Sequence, residues 1–251
     1  RYKPIDFYKV DRLLGGNKEF KLLLNDCQQR NIHVVLDAVF NHVGIAFPPF
    51  QDVIEYGAAS PWKNWFHIES FPVNPYEGLK PRNFRGWNGN RTMPELNHSN
   101  PGVREFVMRV AEYWVRRGID GWRFDHPQNM NSPGFWEEMR SRLKHINPNV
   151  YLVGELWTDA SPWLNGNQWD AVMNYPLMGA IHRFAAAGRM RNEHLLQGAQ
   201  DQPALNAAEF AFHVESLINK IPYEIQLAQF NFINTHDLAR FITVTGDDRV
   251  S

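Results

Sequence analysis

The chain has 251 residues, of which 43% are hydrophobic and 14% aromatic, enough to bury one large α/β domain and too apolar for a disordered segment. Its 26 basic and 27 acidic residues leave a formal charge of −1, so no field favours nucleic acid or an anionic membrane, and a neutral partner fits better. No run approaches the ~18–20 consecutive apolar residues of a membrane span, and the single Cys27 excludes an internal disulfide.

Arg1-Tyr2-Lys3-Pro4 carries neither an initiator Met nor a signal-peptide core, and the chain stops soon after its last motif, so a fragment of a longer protein is expected. From Asn17 to Arg30, Phe20, Leu23, Leu24 and Cys27 recur at helical spacing, and His33 to Val39 reads as a buried strand. The segment from Gly44 to Asn97 is rich in Pro, Asn, Gly and aromatics without sustained periodicity, and its length marks an insertion or small subdomain rather than a connection. Asn100-Pro101 opens a helix whose apolar face is Val103, Phe106, Val107, Val110 and Trp114, with Gly118 at its end. The cycle then repeats. Strands are expected near Gly121 to Phe124, Val150 to Gly154, Ala171 to Met173 and Phe230 to Ile233, and helices near Phe135 to Leu143, Leu177 to Ala187 and Asn206 to Lys220.

Such alternation implies a parallel sheet, either a barrel or a doubly wound fold. Polar residues choose between them. Asp37 with Asn41 and His42, Arg123 with Asp125, Glu155, and His236 with Asp237 each lie at the C-terminal end of an expected strand. In a (β/α)₈ barrel the C-terminal strand ends converge on one mouth, whereas a doubly wound sheet uses fewer ends and usually a glycine-rich phosphate turn, which is missing here. The expected fold is therefore a (β/α)₈ barrel formed by residues 1–43 and 98–251, with 44–97 as an insertion.

Retaining cleavage of a glycosidic bond needs two carboxyl groups about 5 Å apart, one attacking the anomeric carbon and one protonating the leaving oxygen. Asp125 and Glu155 are the candidates. Arg123 lies two residues before Asp125, on the same strand face, where its fixed charge favours the carboxylate. Glu155 sits in Leu152-Val153-Gly154-Glu155-Leu156-Trp157, an apolar setting that favours the protonated acid. Asp237 is placed to stabilise oxocarbenium charge or fix hydroxyls.

Leu36-Asp37-Ala38-Val39-Phe40-Asn41-His42, Gly121-Trp122-Arg123-Phe124-Asp125, Val153-Gly154-Glu155-Leu156-Trp157 and Ile233-Asn234-Thr235-His236-Asp237 resemble, in order and spacing, the signature regions of the α-amylase family, glycoside hydrolase family 13. Met93-Pro94-Glu95-Leu96-Asn97 resembles a further region in the form typical of neopullulanases, cyclomaltodextrinases and maltogenic amylases, and Trp157 to Pro176 is similar to the same subgroup. The likeness implies Asp125 as nucleophile, Glu155 as acid/base and Asp237 as transition-state stabiliser. It implies that Arg123, His42 and His236 hold the sugar being cleaved, that Tyr2 stacks on it, that Trp157 lies toward the leaving group, and that residues 44–97 are the family's domain B, inserted after the third strand of a barrel of which this chain holds about strands 3 to 7. Asp37, Asn41, Gln128 and Asn129 would shape the site. The implied reaction is hydrolysis of α-1,4 or α-1,6 glucosidic bonds in maltooligosaccharides, cyclodextrins, pullulan or starch, with 4-α-glucanotransferase, α-glucosidase and a non-catalytic sugar-binding relative as alternatives.

The chain departs from the subgroup after Asp125, where Gln128 and Asn129 replace Asn-Glu, and His126 replaces a small apolar residue. Metal-dependent hydrolysis fits less well, because no His-x-His or His-Glu-x-x-His occurs and Arg123 beside Asp125 repels a cation. The likeness admits a calcium site near Asn41, but the insertion lacks a dense oxygen-ligand loop, so no cofactor or metal is expected. The expected partner is an α-glucan oligosaccharide, with no nucleic acid and no membrane; a homodimer of the full-length protein stays open.

Overall fold

A computed structural model describes residues 2–78, 83–186, 189–191 and 202–246. The chain divides into two compact units, Arg1–Gly154 and Glu155–Ser251. No helix among the described residues is long and apolar enough to cross a membrane.

In the first unit the order is α1 (Gly16–Gln29), β1 (Val35–Ala38), α2 (Pro48–Tyr56), α3 (Pro101–Val115), β2 (Gly121–Phe124), α4 (Phe135–Ile146) and β3 (Tyr151–Gly154). The three strands pair in parallel, with Asp37 opposite Arg123 and Phe124 opposite Gly154. Helix α3 starts where its local chemistry dictates: the Asn100 side chain accepts from the Gly102 and Val103 amides, and Pro101, lacking an N–H, occupies the first turn at no cost. Its buried face is Val103, Val107, Met108, Val110, Ala111, Trp114 and Val115. Gly118, at φ +96°, turns the chain into β2.

Alternation along β2 sorts its side chains. Trp122 and Phe124 point to the helix layer, where the Trp122 indole donates to the Ala111 carbonyl of α3 at 3.3 Å and the Phe124 ring lies 4.8 Å from that of Trp136 in α4. Arg123 is thereby committed to the opposite face. Gly121 permits the β2–β3 approach itself, since a Cβ there would stand 2.6 Å from the Tyr151 carbonyl oxygen and 3.0 Å from the Tyr151 Cβ. Gly121→Ala must push two paired strands apart, and a loss of about 1–3 kcal/mol is expected. It is read as a lower urea midpoint at unchanged slope.

Among its described residues the segment 44–97 holds α2 and three short 3₁₀ turns tied by isolated antiparallel bridges, Phe66 to Leu96, Ile68 to Phe84 and Gly86 to Pro94. Phe50 of α2 anchors it, its ring 4.9 Å from Phe66 and 5.2 Å from Phe84. The stretch after Met93 runs back along the end of β1: the Val43 amide bonds the Pro94 carbonyl and the Leu96 amide the Asn41 carbonyl, both at 3.0 Å. The His98 Nε2 donates to the Phe40 carbonyl at 2.9 Å, and burial holds this imidazole down to about 4.

The second unit contains the short strand β4 (Ala171–Val172) and helices α5 (Tyr175–Ala185), α6 (Ala207–Ile218), α7 (Tyr223–Ala228) and α8 (Phe241–Thr245). Helix α5 begins two residues before the sequence expectation because the Asn174 side chain caps it through the Leu177 amide; Ala187, the last residue of the expected helix, lies outside the described residues. Helix α6 carries a capping box between Asn206 and Glu209, and Phe210 stacks on Phe184 of α5 at 4.6 Å. One expectation fails. The segment Phe230–Ile233 forms no strand among the described residues; it makes only the parallel bridge from Met173 to Phe230. Its next residue, Asn231, instead takes a side-chain bond from Asn174 at 2.9 Å. An apolar run shows burial tendency but not whether a partner continues beside it, and here Phe230 and Ile233 are exposed.

Candidate active site

The polar face of the first unit follows from the β1–β2 register. Asp37 and Arg123 are cross-strand partners, so their side chains leave the sheet on one face, and Arg123 Nη1 donates to Asp37 Oδ1 at 2.8 Å. The same Nη1 donates to Asp125 Oδ1 at 3.0 Å. Asp125 is only 6% exposed, so this charge-assisted bond acts in a partly dry environment and fixes the carboxylate in place. Tyr2 completes the row. Its hydroxyl bonds Asp37, and burial first, then the Asp37 charge, raises its pKa well above the usual phenol range, so it remains a donor.

His42 is 1% exposed, and its Nε2 donates to the Tyr2 carbonyl at 2.8 Å. That leaves Nδ1 as a buried acceptor without a partner, on a ring whose pKa burial lowers. The ring stacks on Trp87, with centroids 5.1 Å apart and planes at 27°. Trp87 in turn meets His126 at 5.1 Å. His126 directly follows Asp125 and stands in the left-handed region at φ 43°, ψ 52°. Asn41, Gln128 and Asn129 line a separate polar cavity of about 400 Å³ together with His67, Arg85 and Glu95. Within it the Asn41 amide nitrogen and the Gln128 side-chain oxygen are buried without partners.

In the second unit Glu155, 2% exposed, accepts a hydrogen bond from the Trp157 indole at 3.0 Å. The Trp157 ring lies flat on Tyr175, with centroids 4.0 Å apart and planes at 12°. The Tyr175 hydroxyl reaches the Thr235 hydroxyl at 3.5 Å, and that oxygen accepts from the Asp237 amide at 3.3 Å. His236 Nε2 lies 3.4 Å from Asp237 Oδ2, both side chains being more than one-third exposed. Trp157 and Tyr175 also wall an apolar cavity of about 360 Å³ with Met178, Leu238 and Val244.

The structure thus gathers Tyr2, Asp37, His42, Arg123 and Asp125 in one unit, and Glu155, Trp157, His236 and Asp237 in the other. The two groups are joined through chain continuity. Phe124 and Gly154 are paired across β2 and β3, and the residues that follow them are Asp125 and Glu155. Trp87 and Tyr175 were not singled out from the sequence. Trp87 sits in an aperiodic segment where nothing distinguishes it from core aromatics, and Tyr175 falls just before the helix expected from Leu177, in a run that carries only a general likeness to the subgroup.

The family model described as "Alpha amylase, catalytic domain" matches residues 1–251. A cyclomaltodextrinase of Geobacillus thermopakistaniensis is 40% identical over 250 residues, 99% of this chain and 39% of the relative. Neopullulanase 2 of Thermoactinomyces vulgaris is 36% identical over 248 residues, 98% of this chain and 39% of the relative. Among solved structures, the Nostoc punctiforme debranching enzyme soaked with acarbose superimposes with a TM-score of 0.95 at 50% identity, covering 99% of this chain and 53% of that one. The chain therefore spans well under two thirds of the length of these relatives.

Proposed function

Because the chain belongs to the α-amylase catalytic-domain family, we propose that the protein it builds is a retaining glycoside hydrolase acting on α-glucosidic bonds. The observation that carries this reading is the Arg123 clamp on Asp125 at the end of β2, beside a strand whose chain continues directly into Glu155. Asp125 attacks the anomeric carbon while the bond to the leaving oxygen breaks, and Glu155 gives that oxygen its proton. Water then attacks the same carbon and loses a proton to Glu155 as the Asp125 ester bond opens. The bond exchange balances with two carboxyl groups and water, so no cofactor is called for.

Asp237 stabilises the oxocarbenium charge, and His236 and His42 hold hydroxyls; the bare Nδ1 of His42 suits a donated sugar O–H. Tyr2 offers its ring to the sugar while its hydroxyl keeps Asp37 in place. Trp157, flat on Tyr175, is the platform on the leaving-group side. Asp37, Asn41, Gln128 and Asn129 shape the surroundings, and the segment 44–97 serves as the domain-B insertion. The names of the relatives support short α-glucans, cyclodextrins and pullulan as substrates.

The test is proton NMR of the first-formed sugar from maltotriose, with the complete protein. The α-anomer is expected, and first-formed β-anomer would overturn the retaining reading. Chromatography of the same reaction separates hydrolysis from glucanotransferase chemistry, in which products longer than maltotriose accumulate, and chromatography with maltohexaose separates α-glucosidase action, in which each early cut gives glucose and a chain one unit shorter.

A further inference from the structure

Asp237 is carried by a segment with little regular structure of its own. Its side chain and that of His236 are both more than one-third exposed. The next two residues, Leu238 and Ala239, line the apolar cavity of about 360 Å³ rather than close-packed core. Upstream, Phe230–Ile233 makes one isolated bridge among the described residues instead of a ladder. Neither dense packing nor strand pairing among the described residues therefore sets where this carboxylate stands.

A side chain of α5 reaches both ends of the segment. His182 is 7% exposed, and its Nε2 donates to the Ile233 carbonyl at 2.6 Å. Its ring also packs on Phe241, the first residue of α8, with centroids 4.6 Å apart and planes at 33°. The Phe241 amide bonds the Asn234 side-chain oxygen at 3.0 Å, which draws the two ends of 233–241 together. Burial lowers the His182 pKa, so near neutral pH the imidazole is an uncharged donor and brings no field of its own to the carboxylate it supports. The first turn of the same helix holds Tyr175, which reaches Thr235 inside the segment and stacks on Trp157, the partner of Glu155. Helix α5 thus braces the surroundings of both Glu155 and Asp237.

Resting on the glycosidase reading above, we propose that His182 is a positioning residue for the reaction, clipping Ile233 and Phe241 together so that the segment between them presents Asp237 to the charge developing on the sugar. His182 acts only through the segment it holds. A carboxylate that stabilises a transition state must be held to a fraction of an ångström, so releasing its mount costs turnover more than ground-state binding.

The experiment uses the complete protein and two substitutions, His182→Leu, which removes the donor at similar volume, and His182→Gln, which keeps an N–H at comparable reach. On maltotriose His182→Leu should lower kcat roughly tenfold while KM moves less than about threefold, and His182→Gln should recover most of the loss. Both are then placed in an Asp237→Asn background and assayed on an α-glucosyl fluoride, where the residual rate stays readable. There His182→Leu should cost less than about twofold, because no carboxylate is left to position. Parent-like kcat in His182→Leu, equal losses in the Leu and Gln variants, or the same loss repeated without Asp237 would overturn the proposal. Should His182→Leu fail to fold, Phe241→Leu, which removes the ring from the other end of the clip, takes its place in the cycle. A kcat loss in Phe241→Leu that vanishes in the Asp237→Asn background supports the clip, and no loss or a persistent one refutes it. A parent that cleaves no α-glucoside would instead overturn the glycosidase reading itself.

Discussion

Asp125→Asn should lower kcat on maltotriose by several orders of magnitude while the melting temperature stays near that of the parent. The amide is isosteric with the carboxylate but is no nucleophile, and no other side chain at the end of β2 replaces it. The fold should tolerate the change because Arg123 keeps its bond to Asp37, so its guanidinium is not left unpaired in the sheet. Glu155→Gln should be comparably damaging on maltotriose. It should lose much less on an α-glucosyl fluoride, whose departure needs no proton, whereas Asp125→Asn remains inactive on both. Equal losses of the two variants on the fluoride would contradict the assigned roles. Loss of activity accompanied by a collapsed melting temperature in Asp125→Asn would show instead that the Arg123–Asp125 pair is structural.

The second large effect is on stability rather than catalysis. His98 donates to the Phe40 carbonyl just past β1, and burial holds its pKa down to about 4. An unfolded histidine takes its proton near 6.5. The folded-state pKa is depressed, so the unfolded chain binds the proton first, and the stability contribution is complete above about pH 6.5 and is lost as pH falls toward 4. The shift corresponds to about 3 kcal/mol across that window. Burial lowers His42, His67 and His182 in the same direction, so the parent should lose stability steeply on acidification. His98→Gln keeps a donor for the Phe40 carbonyl and removes the titration. Its urea-unfolding free energy should be the less pH-dependent of the two between pH 6.5 and 4, and parallel curves would show that His98 is not a source of the acid sensitivity.

The elements that local chemistry controls could be read directly. Asn100-Pro101 starts α3, Asn206 caps α6, and the apolar face Val103, Val107, Val110 and Trp114 is buried as its period requires. The spacing of two between Arg123 and Asp125 assigns both to one side of the chain, and the structure has them 3.0 Å apart. Motif order was equally legible, because it depends on the sequence alone. The α-amylase likeness read from five short segments reappears as a family match over residues 1–251.

Other features depend on which distant residues meet. Asp37 is an unremarkable strand carboxylate until the parallel register sets it opposite Arg123, 86 positions away, and Tyr2 reaches it from the chain start. Phe230–Ile233 has the composition of a strand, but among the described residues no neighbour extends its single bridge, and a strand exists only through hydrogen bonds to a partner. Trp87 lies in an aperiodic segment whose path is set by isolated bridges and ring contacts rather than by a repeat. Its position between His42 and His126, like the left-handed backbone of His126, carries no pattern in the sequence. Residue types and their spacing along the chain thus determined helices α1, α3, α4, α5 and α6, the carboxylates Asp125 and Glu155 that follow β2 and β3, and the family, whereas α2, α7 and α8 had no legible period. The register, the aromatic braces and the burial of His98 were decided by tertiary structure, because each is an interaction between segments whose separation in space no local periodicity encodes.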